Sequence, residues 1–180
     1  SMRIDNCLID FMKSASLFVT DTSTGTMHGV FQSINRYFSV DWLENDSEGV
    51  VVDMDSKEMI VYRNGERVDS QCIKEVIDLA TNGRRWEGRM MEGQSYGYGV
   101  IYDEEGRKEY EGFVLDGMKS CYGIEYYNDI ERMEYKGGYY DNQRFGIGIL
   151  YDRNGVVEYN GLWKNDEPYS YHFDGKVIDS

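Results

Sequence analysis

Four stretches of the chain alternate apolar and polar residues on the same plan. Trp86, Tyr110, Tyr135 and Tyr159 each stand two places before a glycine, at Gly88, Gly112, Gly137 and Gly161. These leading rings are 24, 25 and 24 residues apart. Twelve positions after each ring stand Tyr98, Tyr122, Ile147 and Tyr171. Two places further come Val100, Ile124, Ile149 and Phe173, and then Tyr102, Tyr126 and Tyr151. Side chains of a strand alternate between its faces, so each set lies on one face of one strand. Each unit therefore predicts a β-hairpin that turns at Glu92-Gly93, Asp116-Gly117 or Asp141-Asn142. Glu105-Gly106 and Asn154-Gly155 separate the units. The second unit has one extra residue between Tyr127 and Glu134, which predicts a bulge or a looser turn.

A single hairpin is marginal in water, whereas stacked hairpins bury a shared apolar face. The expected architecture is thus mainly β: an elongated, twisted antiparallel sheet over 84–175, with three clear units and a degenerate fourth. In that fourth unit Pro168 and Tyr169-Ser170-Tyr171-His172-Phe173 stand where the glycines belong. The glycine two places after each ring has no side chain, so a neighbouring ring can lie across it.

Residues 1–69 lack the repeat and read as a small α+β region. Glu48 to Val68 predicts a hairpin, with Leu17–Thr20 and Gly29–Phe31 as weaker strands. Ser70 to Asn82 predicts an amphipathic helix, with Ser70 as N-cap, Gly83 as the stop, and Ile73, Val76, Ile77 and Ala80 on one stripe. Over 70–83 that helix would cap the sheet edge, which otherwise invites pairing with other chains.

Composition narrows the function. The 180 residues carry 19 Lys+Arg against 33 Asp+Glu, a net charge of −14. That argues against nucleic acid as a partner and against unaided docking on anionic lipid. The three cysteines, Cys7, Cys72 and Cys121, form no CxxC or Cys/His pattern, so a reduced, cytoplasmic protein with no bound metal is expected. No segment is long and apolar enough for a membrane span, and no signal-peptide core is expected at the start. Only His28 and His172 exist, with no nucleophile motif beside either. Asp53-Met54-Asp55 with Glu58 imitates a calcium loop but lacks its sixth-position glycine and its twelfth-position acid, so it reads as a hairpin turn. Gly97-Tyr98-Gly99 and Gly146-Ile147-Gly148 imitate a dinucleotide fingerprint, and the repeat accounts for both. No catalytic residue and no cofactor is expected.

The pattern Tyr-Glu-Gly-x-aromatic, then x-x-Gly, then Gly-x-Gly-apolar-x-Tyr resembles the MORN repeat (membrane occupation and recognition nexus). Trp86 to Tyr102 and Tyr135 to Tyr151 match it well, Tyr110 to Tyr126 departs at Cys121, and Tyr159 to Trp163 keeps only the first strand. The resemblance implies a non-enzymatic scaffold, a grooved sheet that holds partner peptides, often at junctions of membrane and cytoskeleton. By motif position the groove would be lined by Trp86, Tyr98, Tyr102, Tyr110, Tyr122, Tyr126, Tyr135, Tyr151 and Tyr159. The same rings would equally serve as a stacked core, or as both. The acidic balance points to a basic or amphipathic partner segment. Two other readings stand beside this one: a homodimer joined through Trp163 and Phe173, and an accessory module of an enzyme.

Overall fold

The computed structural model describes residues 27–33, 36–42, 47–63, 66–68, 73–78, 83–169, 171–173 and 176–178. Among these residues every regular element is a strand. A five-stranded sheet holds β1 (Met27–Ser33), β2 (Arg36–Trp42), β3 (Ser47–Asp53), β4 (Glu58–Arg63) and β5 (Glu66–Arg67) in chain order. A nine-stranded sheet follows. It holds β6 (Ile73–Asp78), β7 (Arg85–Met91), β8 (Gln94–Tyr102), β9 (Lys108–Leu115), β10 (Met118–Tyr127), β11 (Arg132–Tyr140), β12 (Gln143–Tyr151), β13 (Val157–Lys164) and β14 (Glu167–Pro168). Two short strands, β15 (Tyr171–Phe173) and β16 (Lys176–Ile178), pair with each other.

The repeat unit is the expected hairpin, and its turns show why the spacing is fixed. At Glu92-Gly93, Asp116-Gly117, Asp141-Asn142 and Asn165-Asp166, both central residues have positive φ, between 51° and 78°. Such turns match the right-handed twist of the flanking strands, and Gly, Asn and Asp tolerate the backbone best. The loops between units repeat too. In two of them an aspartate, Asp103 or Asp152, accepts backbone N–H bonds from residues two and four places on, at 2.8–2.9 Å. The second unit's extra residue is absorbed here: its strands run one pair further, to Tyr127 and Arg132, and close over Asn128–Glu131. The register shift before Tyr126 is not its consequence, because the same shift precedes Tyr102 and Tyr151.

Across the sheet the repeat puts like beside like. Gly99, Gly112, Gly123, Gly137, Gly148 and Gly161 sit opposite one another on successive strands, a row of glycines six strands long. Each leading ring folds back over this row. Its polar tip donates to the backbone carbonyl three residues on: Trp86 to Arg89, Tyr110 to Phe113, Tyr135 to Gly138, and Tyr159 to Leu162, at 2.7–3.0 Å. A Cβ at Gly123 would lie 2.2 Å from the Tyr110 hydroxyl, and one at Gly148 would lie 2.3 Å from that of Tyr135.

The five-stranded sheet packs on the opposite face of the array. Val50, Val52, Met59 and Val61 form one buried cluster with Met91, Tyr96, Phe113 and Cys121. The Tyr96 hydroxyl donates to the Met59 carbonyl across the interface at 2.6 Å. Arg63 reaches the array's turns, with two bonds to Asp116 at 2.7 and 2.9 Å and one to Glu92 at 3.4 Å.

Two expectations are corrected. The predicted helix over 70–83 is replaced, where the chain is described, by strand β6, which pairs with β7 from Ile73↔Met90 to Asp78↔Arg85. Its three β-branched residues, Ile73, Val76 and Ile77, fit helical spacing and strand pairing alike, and the neighbouring strand decided between them. The α+β region is all β within its described residues, with β3 and β4 forming the hairpin expected over Glu48–Val68, of which Asn64 and Gly65 lie outside the described residues, and with Gly29–Phe31 lying in β1. Leu17–Thr20, Ser70 and Ala80 lie outside the described residues.

Gly148→Ala would force the buried Tyr135 ring to move and should cost about 3 kcal/mol. Gly155→Ala, also a glycine of the array but with open space around it and a φ of 84°, should cost only about 1 kcal/mol. Urea unfolding of both variants measures the difference, and equal losses would show that the ring-on-glycine contact is not limiting.

Candidate functional site

The nine rings singled out in the sequence fall on two faces. Trp86, Tyr110 and Tyr135 are fully buried, and the half-buried Tyr159 packs beside them. Tyr110, Tyr135 and Tyr159 build an edge-to-face ladder with Tyr139 and Trp163: Tyr110–Tyr139, Tyr139–Tyr135, Tyr135–Trp163 and Trp163–Tyr159 have ring centroids 5.1–5.4 Å apart. Such contacts add about 0.5–1.5 kcal/mol each beyond area burial. These rings are core, and three of the four leading aromatics have no surface to offer a partner. Trp163, expected at a dimer contact, is buried as well.

A charged cluster is set against the ladder. Glu125 occupies the position that is Ile101 and Leu150 in the units on either side, opposite Tyr110 and Tyr135. Tyr139 donates its hydroxyl to Glu125, and Arg144 bonds Glu125 at 3.2 and 3.3 Å and Glu134 at 3.2 Å. The Arg144 guanidinium lies 4.7 Å from the Tyr135 centroid and 5.3 Å from that of Trp163. Lys119 stands over Tyr110 and Tyr139 at 5.2 and 5.8 Å. Burial alone would raise the Glu125 pKa, but Lys119, Arg144 and the Tyr139 hydroxyl outweigh it and hold the carboxyl below its ordinary value. Burial drives the Tyr110 and Tyr139 hydroxyls well above theirs. The cluster is saturated with partners and acts as structure.

The other five rings, Tyr98, Tyr102, Tyr122, Tyr126 and Tyr151, are half-buried and belong to the face that carries the five-stranded sheet. Among the described residues Tyr98 and Tyr122 flank the cluster that this sheet buries, and Tyr102, Tyr126 and Tyr151 stand outside it, partly exposed. Two rows of side chains run across this face from strand to strand. One row is Glu87, Val100, Glu111, Ile124, Lys136, Ile149 and Asn160. In the next, Tyr102 pairs with Arg85 and Lys108, Tyr126 with Met133, and Tyr151 with Val157. Val100, Ile124 and Ile149 are half-buried, Met133 is 38% exposed and Val157 52%.

Glu111 is the polar centre of this strip. It accepts from the Tyr98 hydroxyl at 2.6 Å and from Lys108 Nζ at 2.8 Å. Burial opposes its ionisation, yet these two bonds outweigh it and keep its pKa low. Burial raises the Tyr122 hydroxyl to about 12, so it remains a donor at neutral pH. The β3–β4 turn forms a wall beside the strip, with Lys57 Nζ 5.1 Å from the Tyr98 ring centroid. Below that turn lies a cleft of about 230 Å³ lined by Ser56, Lys57, Met59, Gly88, Arg89, Tyr96, Gly97 and Tyr98.

Sequence reasoning missed Glu111, Met133, Val157 and Lys57 as parts of this surface. Glu111 and Met133 were visible in principle through strand alternation, while Lys57 arrives from another sheet. A scan against protein-family models and a search of curated proteins each found no match to this chain. Among the described residues no helix is long and apolar enough to cross a membrane.

The low pKa of Glu125 has a stability consequence. A depressed carboxyl stabilises the fold above its unfolded pKa, near the ordinary 4.5, and that contribution is lost as pH falls through the lower folded value. Denaturation midpoints measured from about pH 6 to 3 should fall for the native chain. They should fall less steeply for Glu125→Gln, and parallel slopes would remove Glu125 from the acid response.

Proposed function

We propose that this chain is a non-enzymatic protein–protein interaction scaffold of the MORN-repeat type, which holds a partner segment on its half-buried tyrosine strip. One observation carries the reading: Tyr102, Tyr126 and Tyr151, with Val100, Ile124 and Ile149, remain partly exposed beside the wall formed by the five-stranded sheet. Partly exposed tyrosines and aliphatics interleaved with charged side chains offer a partner both apolar contact and polar recognition. Tyrosine suits it, because the ring gives contact area at low entropic cost and the hydroxyl gives a hydrogen bond. The groove moves, relative to the motif-based expectation, from all nine rings to the five on this face, with Tyr102, Tyr126 and Tyr151 at its open half. The net charge of −14 favours a basic or amphipathic partner. Work in the cytoplasm, with attachment to cytoskeleton or membrane through partners, fits such a scaffold.

Affinity capture from cell extract tests this. Tyr126→Ala with Tyr151→Ala should lose about 90% or more of the specific partners, as loss of central aromatic anchors does. Unchanged capture would refute the strip as the site. Tyr110 and Tyr135 are unsuited to the test, since truncating a buried ring costs about 3–5 kcal/mol of stability.

A second reading rests on a different observation. Among the described residues β13 pairs on its outer side at Trp163 and Lys164 and accepts the Tyr169 N–H at the Leu162 carbonyl, and Val156 and Val157 at its start are 60% and 52% exposed. Such an edge accepts another strand, and two copies could join there. Light scattering should then show mass rising towards the dimer with concentration, and Val157→Lys should abolish the rise. A constant monomer mass would exclude it.

A further inference from the structure

We infer that the cleft between the β3–β4 turn and strands β7 and β8 takes one acidic side chain, a glutamate, of the segment held on the tyrosine strip. That a segment lies there rests on the groove reading above, whereas the cleft stands on its own geometry. It holds about 230 Å³. Sites for a drug-sized molecule hold about 300–1,000 Å³, so this one suits a single side chain.

The cleft depends on the glycine at position 97. Gly97 lies in its lining, and a Cβ there would meet nothing within 4 Å. Cys121 stands at the same position of the next unit with the same left-handed backbone, φ 67° against 82°. Its side chain is fully buried in the cluster formed with the five-stranded sheet. The first unit leaves that side chain out, and Ser56 and Lys57 of the β3–β4 turn line the space instead.

Charge selects the ligand. Among the described residues the lining holds two cations, Lys57 and Arg89, and no acid, in a chain whose net charge is −14. The Ser56 hydroxyl accepts the Glu58 N–H at 3.4 Å, which leaves its own O–H as a donor. The acids around the cleft are engaged elsewhere. Glu111 bonds Tyr98 and Lys108, Glu92 and Asp116 bond Arg63, and Asp53 accepts two N–H groups of its own turn. Asp55, Glu58 and Glu87 are exposed and take no part in the lining. A carboxylate placed in the cleft therefore meets an ammonium, a guanidinium and a hydroxyl, and bonds to a charged acceptor are the strong ones.

The floor favours glutamate over a shorter acid. Met59 and Tyr96 are buried and Tyr98 is half-buried, so the methylene stem lies on apolar surface while the head meets the cations. The strip agrees with the cleft. Arg85 lies over Tyr102 at 4.8 Å and Lys108 over Tyr126 at 5.4 Å. These ring faces are held by the chain's own cations and are closed to a partner's. Of the basic or amphipathic segments that the net charge favours, the cleft thus selects an amphipathic one with an acid at this point.

Amide chemical shifts of the full chain test the cleft directly. The probe is N-acetyl-glutamate N-methylamide, compared with its glutamine analogue and with inorganic phosphate. The glutamate probe should shift the Gly88, Gly97 and Tyr98 amides with a Kd of about 1–10 mM, and the glutamine probe should bind at least about tenfold more weakly. Lys57→Met leaves Arg89 untouched and should weaken the glutamate probe about tenfold without moving the melting temperature. Gly97→Asn tolerates the left-handed backbone, puts a side chain into the cleft and should abolish the shifts. Equal binding of the two amides, an unchanged Kd in Lys57→Met, or no shift at these amides up to about 100 mM overturns the inference. Tighter binding of phosphate at the same amides overturns it as well and makes the cleft a phosphoryl site. Tyr126→Ala with Tyr151→Ala should leave the titration unchanged, so groove and cleft fail separately. Partner capture lost in that pair but intact in Lys57→Met keeps the groove and removes the acidic anchor.

Discussion

The structure depends on one contact made four times: a ring laid back over a glycine, with its polar tip bonded to the carbonyl three residues on. Trp86, Tyr110, Tyr135 and Tyr159 all make that hydrogen bond, at 2.7–3.0 Å. The bond fixes the ring flat against its own strand, and the flat ring requires that the adjacent positions have no Cβ. The glycine row from Gly99 to Gly161 is the answer to that requirement, and its register holds neighbouring hairpins in step. Each ring buried this way removes a large apolar surface from water and satisfies its own donor at the same time.

Because the rings are consumed by packing, the two faces of the array have different tasks. One face carries the buried aromatic ladder, and beside it Glu125 is paired with Arg144 and bonded by Tyr139. The other face is divided. Its half near the hairpin turns is sealed by the five-stranded sheet through Val50, Val52, Met59 and Val61 and tied down by Arg63 on Asp116. On the same face Tyr102, Tyr126 and Tyr151 stay partly exposed with Val100, Ile124 and Ile149. The surface available for recognition is thus what the core and the second sheet leave uncovered.

Some of this was legible in the residues. The period, the hairpins, the turn positions and the glycine under the ring all follow from local rules, since a positive-φ pair and side-chain alternation act within a few residues. Cys121 shows the limit of local legibility. It stands where its neighbouring units have Gly97 and Gly146, and it takes the same left-handed backbone, with φ of 67°. The fold imposes the conformation even where the residue disfavours it.

The sequence by itself determined the unit: its length, its turns and which positions share a face, because these depend on contacts between residues close along the chain. It did not determine the state of Ile73–Asp78, whose apolar spacing suits helix and strand alike; pairing with β7 decided that. Nor did it separate Trp86, Tyr110 and Tyr135, which are buried, from Tyr102, Tyr126 and Tyr151, which are half open. Both sets look alike as aromatic positions of one repeat. Only the tertiary structure distinguishes them, because burial depends on which face the rings close over and how far the five-stranded sheet extends across the other.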